Sequence, residues 1–201
     1  MSRSDIAVFL DRDGTVNSEV HYLSSPDELQ LIPRTIPAIR ELNDLGVKVF
    51  IITNQSGVAR GMFPESAVSV VHEALRDMLK KEDAVVDDFY YCPHLPGVAD
   101  ARYNRDCECR KPKPGMLLQA RKKYAIDLHR SYVIGDRCID VAAGKSAGTG
   151  TVMVSTGYGA QEINDCRNEP DFFATDLYDG VQYVKLKILS QERPLIQPRT
   201  V

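Results

Sequence analysis

The chain has 201 residues, 43% of them hydrophobic and 26% charged, which suits a soluble globular protein with room for one sizeable core. A net charge of -3 excludes a general electrostatic pull toward nucleic acid or anionic membrane, so an anionic substrate requires a local basic pocket. No apolar run approaches the roughly 20 residues that span a bilayer, and no leader pattern opens the sequence, so the cytosol is the expected compartment.

Ile6 to Leu10 is uninterrupted apolar sequence and predicts a strand buried on both faces, as in a parallel sheet. It stops abruptly at Asp11-Arg12-Asp13-Gly14-Thr15. On these residues alone, a working pair of carboxylates and a plain Asp-Gly turn are equally supported. A long polar loop follows, Val16 to Pro33, and then a helix over Thr35 to Gly46, with Pro37 in its first turn and Ile39, Leu42 and Leu45 on one side.

Val47 to Ile52 predicts a second buried strand, ending in Thr53-Asn54-Gln55-Ser56-Gly57. The spacing of Val68, Val71, Leu75 and Leu79 predicts an amphipathic helix over Pro64 to Lys81. Asp88 to Tyr91 reads as a third strand, and the pattern then dissolves into an inserted loop from Cys92 to Arg110. Beyond it come a helix over Gly115 to Tyr124 and a strand over Tyr132 to Gly135 that ends in Asp136. Another helix runs to about Ala147, followed by a strand over Thr151 to Val154 and a strand-like turn and helix from Phe172 to Leu189. The organisation expected is a single domain over residues 1–190 with a tail over 191–201, unstructured from Pro194 onward.

Strands alternating with helices at this spacing predict an α/β fold: a parallel sheet with helices on both faces and no large cap. Three strand ends then meet at one rim and bring together Asp11 and Asp13, Thr53, and Asp136 with Asp140. The basic run Arg110-Lys111-Pro112-Lys113 enters from the loop. Acids gathered there repel one another, and a hard cation such as magnesium removes the conflict. With Lys111 and Thr53 added, the set suits phosphoryl transfer, because the positive groups let an anionic nucleophile approach a phosphate. Taken singly, Thr53 reads as a turn cap, Asp136 and Asp140 as helix-start acids, and Lys111 as a solvated lysine.

The four segments, matched in order over residues 6–157, resemble the motifs of the haloacid dehalogenase (HAD) superfamily phosphatases. The resemblance implies that Asp11 attacks phosphorus and that Asp13 protonates the departing oxygen. It further implies that magnesium is held by the side chains of Asp11 and Asp136 and the backbone carbonyl of Asp13. Thr53 and Lys111 would hold the phosphoryl oxygens, and Asp140 would orient its neighbours.

Five cysteines are an odd count, and three of them crowd with a histidine into positions 92–109, which favours a metal over cross-linking. Cys92, His94, Cys107 and Cys109 make two short chelating pairs whose soft donors suit a closed tetrahedral zinc site, a structural staple for the loop that carries Arg110 and Lys111. Cys138 and Cys166 read as ordinary residues rather than ligands.

Tyr91 to His94, Cys107 to Pro112 and Thr53 to Gly61 together are similar to the heptose 1,7-bisphosphate 7-phosphatases. Their relatives, the histidinol-phosphate phosphatases, share the zinc loop. That likeness implies a small sugar-phosphate substrate lined by Glu19, Tyr22, Asn54, Gln55, Ser56, Arg110 and Arg137, with arginine at 137 where lysine is common in the family. A monomer is expected. His21 has only its place in the loop to recommend it. Two readings compete from other classes: a phospho-accepting signalling module, and a nucleic-acid zinc finger with Arg102, Arg105, Arg110, Lys111 and Lys113 as its basic face. The net acidity and the absence of a recognition helix between the cysteine pairs weigh against the second.

Overall fold

A computed structural model of the chain describes residues 3–191. Six strands, β1 (Ala7–Leu10), β2 (Lys48–Asn54), β3 (Asp88–Cys92), β4 (Tyr132–Gly135), β5 (Gly150–Val154) and β6 (Phe172–Ala174), form one sheet in the order β3-β2-β1-β4-β5-β6. Every pairing is parallel. The helices are α1 (Thr35–Asp44), α2 (Ser56–Ala59), α3 (Glu65–Lys80), α4 (Gly115–Tyr124), α5 (Cys138–Ala147), α6 (Gly159–Glu162) and α7 (Leu177–Gln191). This is the expected HAD-like α/β architecture.

The apolar run of β1 is wholly buried because it feeds two cores at once. Ile6, Val8 and Leu10 join Ile39 and Leu42 of α1, Val71 and Leu75 of α3, and Val181 and Val184 of α7. Ala7 and Phe9 face the other way, with Phe50 and with Met116, Leu117 and Ala120 of α4. Each such aliphatic side chain removed from water contributes roughly 1.5–3 kcal/mol, so the strand that ends in Asp11 is among the best-anchored parts of the chain.

The chain builds outward from β1 to β3 and then returns to lay β4 on the other flank of β1. Connections leave these two neighbours in opposite directions, which opens a crevice at their carboxyl ends. Register puts Leu10 beside Ile134, and the Asp11 N–H donates to the Ile134 carbonyl at 2.9 Å, so Asp11 and Asp136 come out side by side.

Several details differ from the sequence expectation. β2 continues through Thr53 and Asn54 rather than stopping at Ile52, because β3 pairs with it as far as Asn54 beside Cys92. The short α2 and α6 were not expected, since four residues carry no readable period. The 16–33 loop contains a single 3-10 turn, Pro26–Glu28, and isolated bridges at Asn17. Cys138 and Cys166, expected to be ordinary residues, are instead joined by a disulfide across 28 residues of sequence. They follow adjacent strands, and the crossover that unites them leaves no local signature. Beyond Gln191 the expected tail, including Pro194 to Val201, lies outside the described residues. Among the described residues no helix is long and apolar enough to cross a membrane.

Candidate active site

At the crevice the carboxylates of Asp11, Asp136 and Asp140 bring ligand atoms within 4.8 Å of one another, all three buried. Lys111, also buried, is driven in among them, with its Nζ 2.8 Å from Asp11 Oδ1 and 2.6 Å from Asp140 Oδ1. Burial alone would lower the affinity of this lysine for its proton, but the two carboxylates outweigh it and raise the pKa. Asp140 Oδ2 accepts the Arg137 N–H at 3.1 Å, so Asp140 is occupied on both sides by protein.

Asp136 is different. Its Oδ2 accepts the Tyr158 N–H at 2.8 Å, while its buried Oδ1 has no hydrogen-bond partner. Burial, together with the charges of Asp11 and Asp140, raises its pKa well above the carboxylate range. An orphaned buried oxygen in a surplus of negative charge is what a hard divalent cation relieves, so these residues fit one. The backbone is cut to make room for this carboxylate: a Cβ on Gly14 would stand 2.3 Å from Asp136 Oδ2, and one on Gly157 2.1 Å, and both glycines hold positive φ.

Asp13 sits beside this cluster and is braced from three directions. Arg12 donates Nε and Nη2 to its two oxygens at 3.1 and 2.8 Å, Asn17 donates at 2.9 Å, and Gln55 donates at 3.0 Å. These donors overcome the effect of burial and lower its pKa. Behind Arg12, whose side chain is completely buried, lies His72, held neutral with a pKa lowered to about 3 by burial and by the guanidinium charge.

The strand-end amides expected to meet substrate are largely committed to the protein. Gln55 also donates to Thr53 Oγ1 at 2.8 Å. Asn54 clasps the backbone of Lys111, donating to its carbonyl at 3.0 Å and accepting its N–H at 3.1 Å. Sequence reasoning placed these residues at the site but not in these bracing positions.

Two cavities of about 190 and 120 Å³ open over the cluster and share Asp13, Glu19, Asn54, Ser56 and Arg137 in their walls. Tyr22 and Gln55 line the larger; Asp11, Thr53, Arg110 and Lys111 line the smaller. Every sequence-predicted residue of the crevice except Asp136 and Asp140 is therefore on a cavity wall, and those two are fully buried. Burial and the nearby Asp13 charge raise the pKa of Glu19. His21, which had only its place in the loop to recommend it, lines the larger cavity, and so does Tyr158, which the sequence did not single out; their side chains meet at 3.1 Å. The available signal was the Gly157-Tyr158-Gly159 run after a strand, and nothing in it pointed to this site.

The second cluster lies on the inserted loop. Sulfur and Nδ1 atoms of Cys92, His94, Cys107 and Cys109 are separated by 3.3–3.6 Å along four edges, with no disulfide among them. His94 is kept neutral by burial and by Arg105, the state a metal ligand needs. Three sulfurs and an imidazole in this arrangement fit a tetrahedral ion with no position left open. Arg110 donates to the His94 carbonyl at 3.2 Å, which ties this cluster to the wall of the crevice.

A HAD-hydrolase-like family model matches residues 108–180, the stretch that carries Lys111, Asp136 and Asp140. The chain is 50% identical over 143 residues to a D-glycero-beta-D-manno-heptose-1,7-bisphosphate 7-phosphatase of Rhodopseudomonas palustris, covering 71% of this chain and 79% of that one. It is 38% identical over 195 residues to the enzyme of the same name from Escherichia coli, covering 96% and 99%. The chain belongs to the heptose-bisphosphate phosphatase family. As a member it is a phosphatase, and its fold agrees. A crystal structure of the D,D-heptose 1,7-bisphosphate phosphatase from B. bronchiseptica, complexed with magnesium and phosphate, superposes with a TM-score of 0.80 at 32% identity, covering 90% of this chain and 99% of that one. Relatives named for the alpha anomer are also similar, one from Photorhabdus laumondii at 40% identity over 155 residues, covering 77% of this chain and 85% of that one.

Proposed function

We propose that this phosphatase removes the 7-phosphate from D-glycero-D-manno-heptose 1,7-bisphosphate. The observation that carries this reading is the charge layout of the crevice: Lys111 sits at the acid cluster, and two further cations, Arg110 and Arg137, line the same walls. A monophosphate needs only the first, whereas a second phosphate gives the arginines an anion to hold. Relatives at 38–50% identity carry this activity in their names.

In the proposed reaction the Asp11 carboxylate attacks phosphorus and the bond from phosphorus to the sugar oxygen breaks. Asp13 passes a proton to that oxygen, and water then cleaves the aspartyl phosphate with Asp13 accepting its proton. The donors around Asp13 favour its ionised form, the state needed for the second half; arrival of a dianionic phosphate raises its proton affinity for the first. Thr53 and Lys111 hold the phosphoryl oxygens. The side chains of Asp11 and Asp136 and the carbonyl of Asp13 would hold magnesium, which would supply neutralising charge at the phosphoryl group. Cys92, His94, Cys107 and Cys109 would hold a zinc ion that staples the loop.

The test is phosphate release from each anomer of the bisphosphate and from histidinol phosphate. The bisphosphate is expected to be preferred at least about tenfold in kcat/KM, which a second anchored phosphate readily supplies. Asp11→Asn should cut turnover by a factor of about 10³ or more with an unchanged far-UV spectrum. Preference for histidinol phosphate would overturn the substrate, and an active Asp11→Asn would overturn the nucleophile.

A further inference from the structure

Three consecutive residues at the start of α5 are fastened, one after another, to the segment that follows β5. Asp136 takes the Tyr158 N–H at 2.8 Å. Arg137 gives Nε and Nη2 to Glu162 Oε1 at 2.8 and 2.6 Å, and its guanidinium lies over the Tyr158 ring, 4.6 Å from the centroid. Cys138 gives its N–H to Glu162 Oε2 at 2.8 Å and its sulfur to the disulfide with Cys166.

The result is a guanidinium held on one edge and one face. Glu162 is itself immobilised by the backbone at Cys138, so its hold on Arg137 costs less freedom than a pairing of two loose side chains would. Nη1 makes no hydrogen bond among the described residues, and the Arg137 side chain remains 45% exposed in the wall of both cavities. Arginine carries much rotamer freedom, and a planar fork reads a phosphate well only when its plane is set beforehand. Of the two holders, Glu162 sets the edge and Tyr158 sets the plane. The Tyr158 hydroxyl also lies 3.1 Å from His21 Nδ1 across the mouth of the cleft, a contact additional to the ring's own stacking on Arg137.

We propose that Tyr158 is a specificity-determining positioning residue: its ring sets the plane of Arg137 so that the free Nη1 side meets the second phosphate of the substrate. This rests on the proposed bisphosphate reading and adds to it the residue that aims the arginine. The hydrogen bonds and the ring contact supply the geometry, with the disulfide as an additional tie.

Kinetics on the full chain with heptose 1,7-bisphosphate and with the matching 7-monophosphate test it. Tyr158→Leu keeps the backbone N–H on Asp136 but removes the ring. It should raise KM for the bisphosphate about fivefold, the scale of a lost cation–π contact, with kcat within twofold and KM for the monophosphate unchanged. Tyr158→Phe keeps the ring and should restore the wild-type KM ratio to within twofold. In an Arg137→Ala background Tyr158→Leu should add nothing. Equal KM increases for both substrates, or a full effect of Tyr158→Leu without Arg137, would overturn the positioning role. An Arg137→Ala enzyme that keeps the wild-type ratio would show instead that Arg137 reads no second phosphate, and would take that part of the functional reading down with the proposal.

Discussion

The two clusters that fit metal ions are built on opposite principles. The acid cluster hangs from the ends of β1 and β4, strands whose cores are complete without it, and it keeps three buried carboxylates in mutual repulsion, with Asp136 Oδ1 left with neither a hydrogen bond nor an ion pair. The thiol cluster lies on a loop of nineteen residues, 92–110, that has no regular structure after β3 ends, and it closes all four of its ligands on one another. In the first, the scaffold holds the charges against their preference; in the second, the ligands hold the scaffold. A site that must react keeps an unsatisfied position, and one that must only bind does not.

Substitutions should therefore act with opposite sign in the two places. Asp136→Asn removes a buried carboxyl group whose ionisation the metal-free fold opposes. We expect activity to fall by about 10³-fold while the metal-free protein gains about 1–2 kcal/mol in urea unfolding. A loss of stability with a loss of activity would erase the distinction between the clusters. Cys107→Ser opens the closed cluster and should cost both: zinc content falls below one per chain, thermal unfolding comes earlier, and kcat/KM drops about tenfold because Arg110, tied to the His94 carbonyl, loses its mounting. Added magnesium should not repair it.

The smallest effect probes the support beneath the acid cluster. His72 has a pKa lowered from 6.5 to about 3, so the unfolded chain takes up its proton near pH 6.5 while the folded chain refuses it until much lower pH. Stability from this group is therefore fully present above pH 6.5 and is lost as pH falls toward 3. Between pH 7 and 5 the loss should be about 2 kcal/mol, and His72→Phe, which keeps a ring against Phe89, should abolish that part of the pH dependence in denaturant titrations.

The sheet and its rim were legible because buried parallel strands are continuous apolar runs, and the positions where those runs end in acids, a threonine or a glycine are plain. Asp11, Thr53 and Asp136 could be placed on one edge from such endings alone, and the thiol cluster from close spacing. Arg12 was opaque: it stands between two acids in a run that alternates faces, and only the folded chain turns its guanidinium back onto Asp13. Tyr158, Glu162 and the Cys138–Cys166 bond were hidden for a related reason. Residues 155–170 have no period to read, and their partners at 136–138 are adjacent only because β4 and β5 are.

Asn54 holds one further consequence. Its backbone pairs with Cys92, where the irregular loop departs, and its side-chain amide grips Lys111, where that loop comes back. A single residue of the sheet thus serves as both the exit and the return of the excursion. The path between can lengthen or shrink while both of its ends stay tied to the same sheet residue, which leaves this wall of the cleft free to be rebuilt for new sugars above the same lysine.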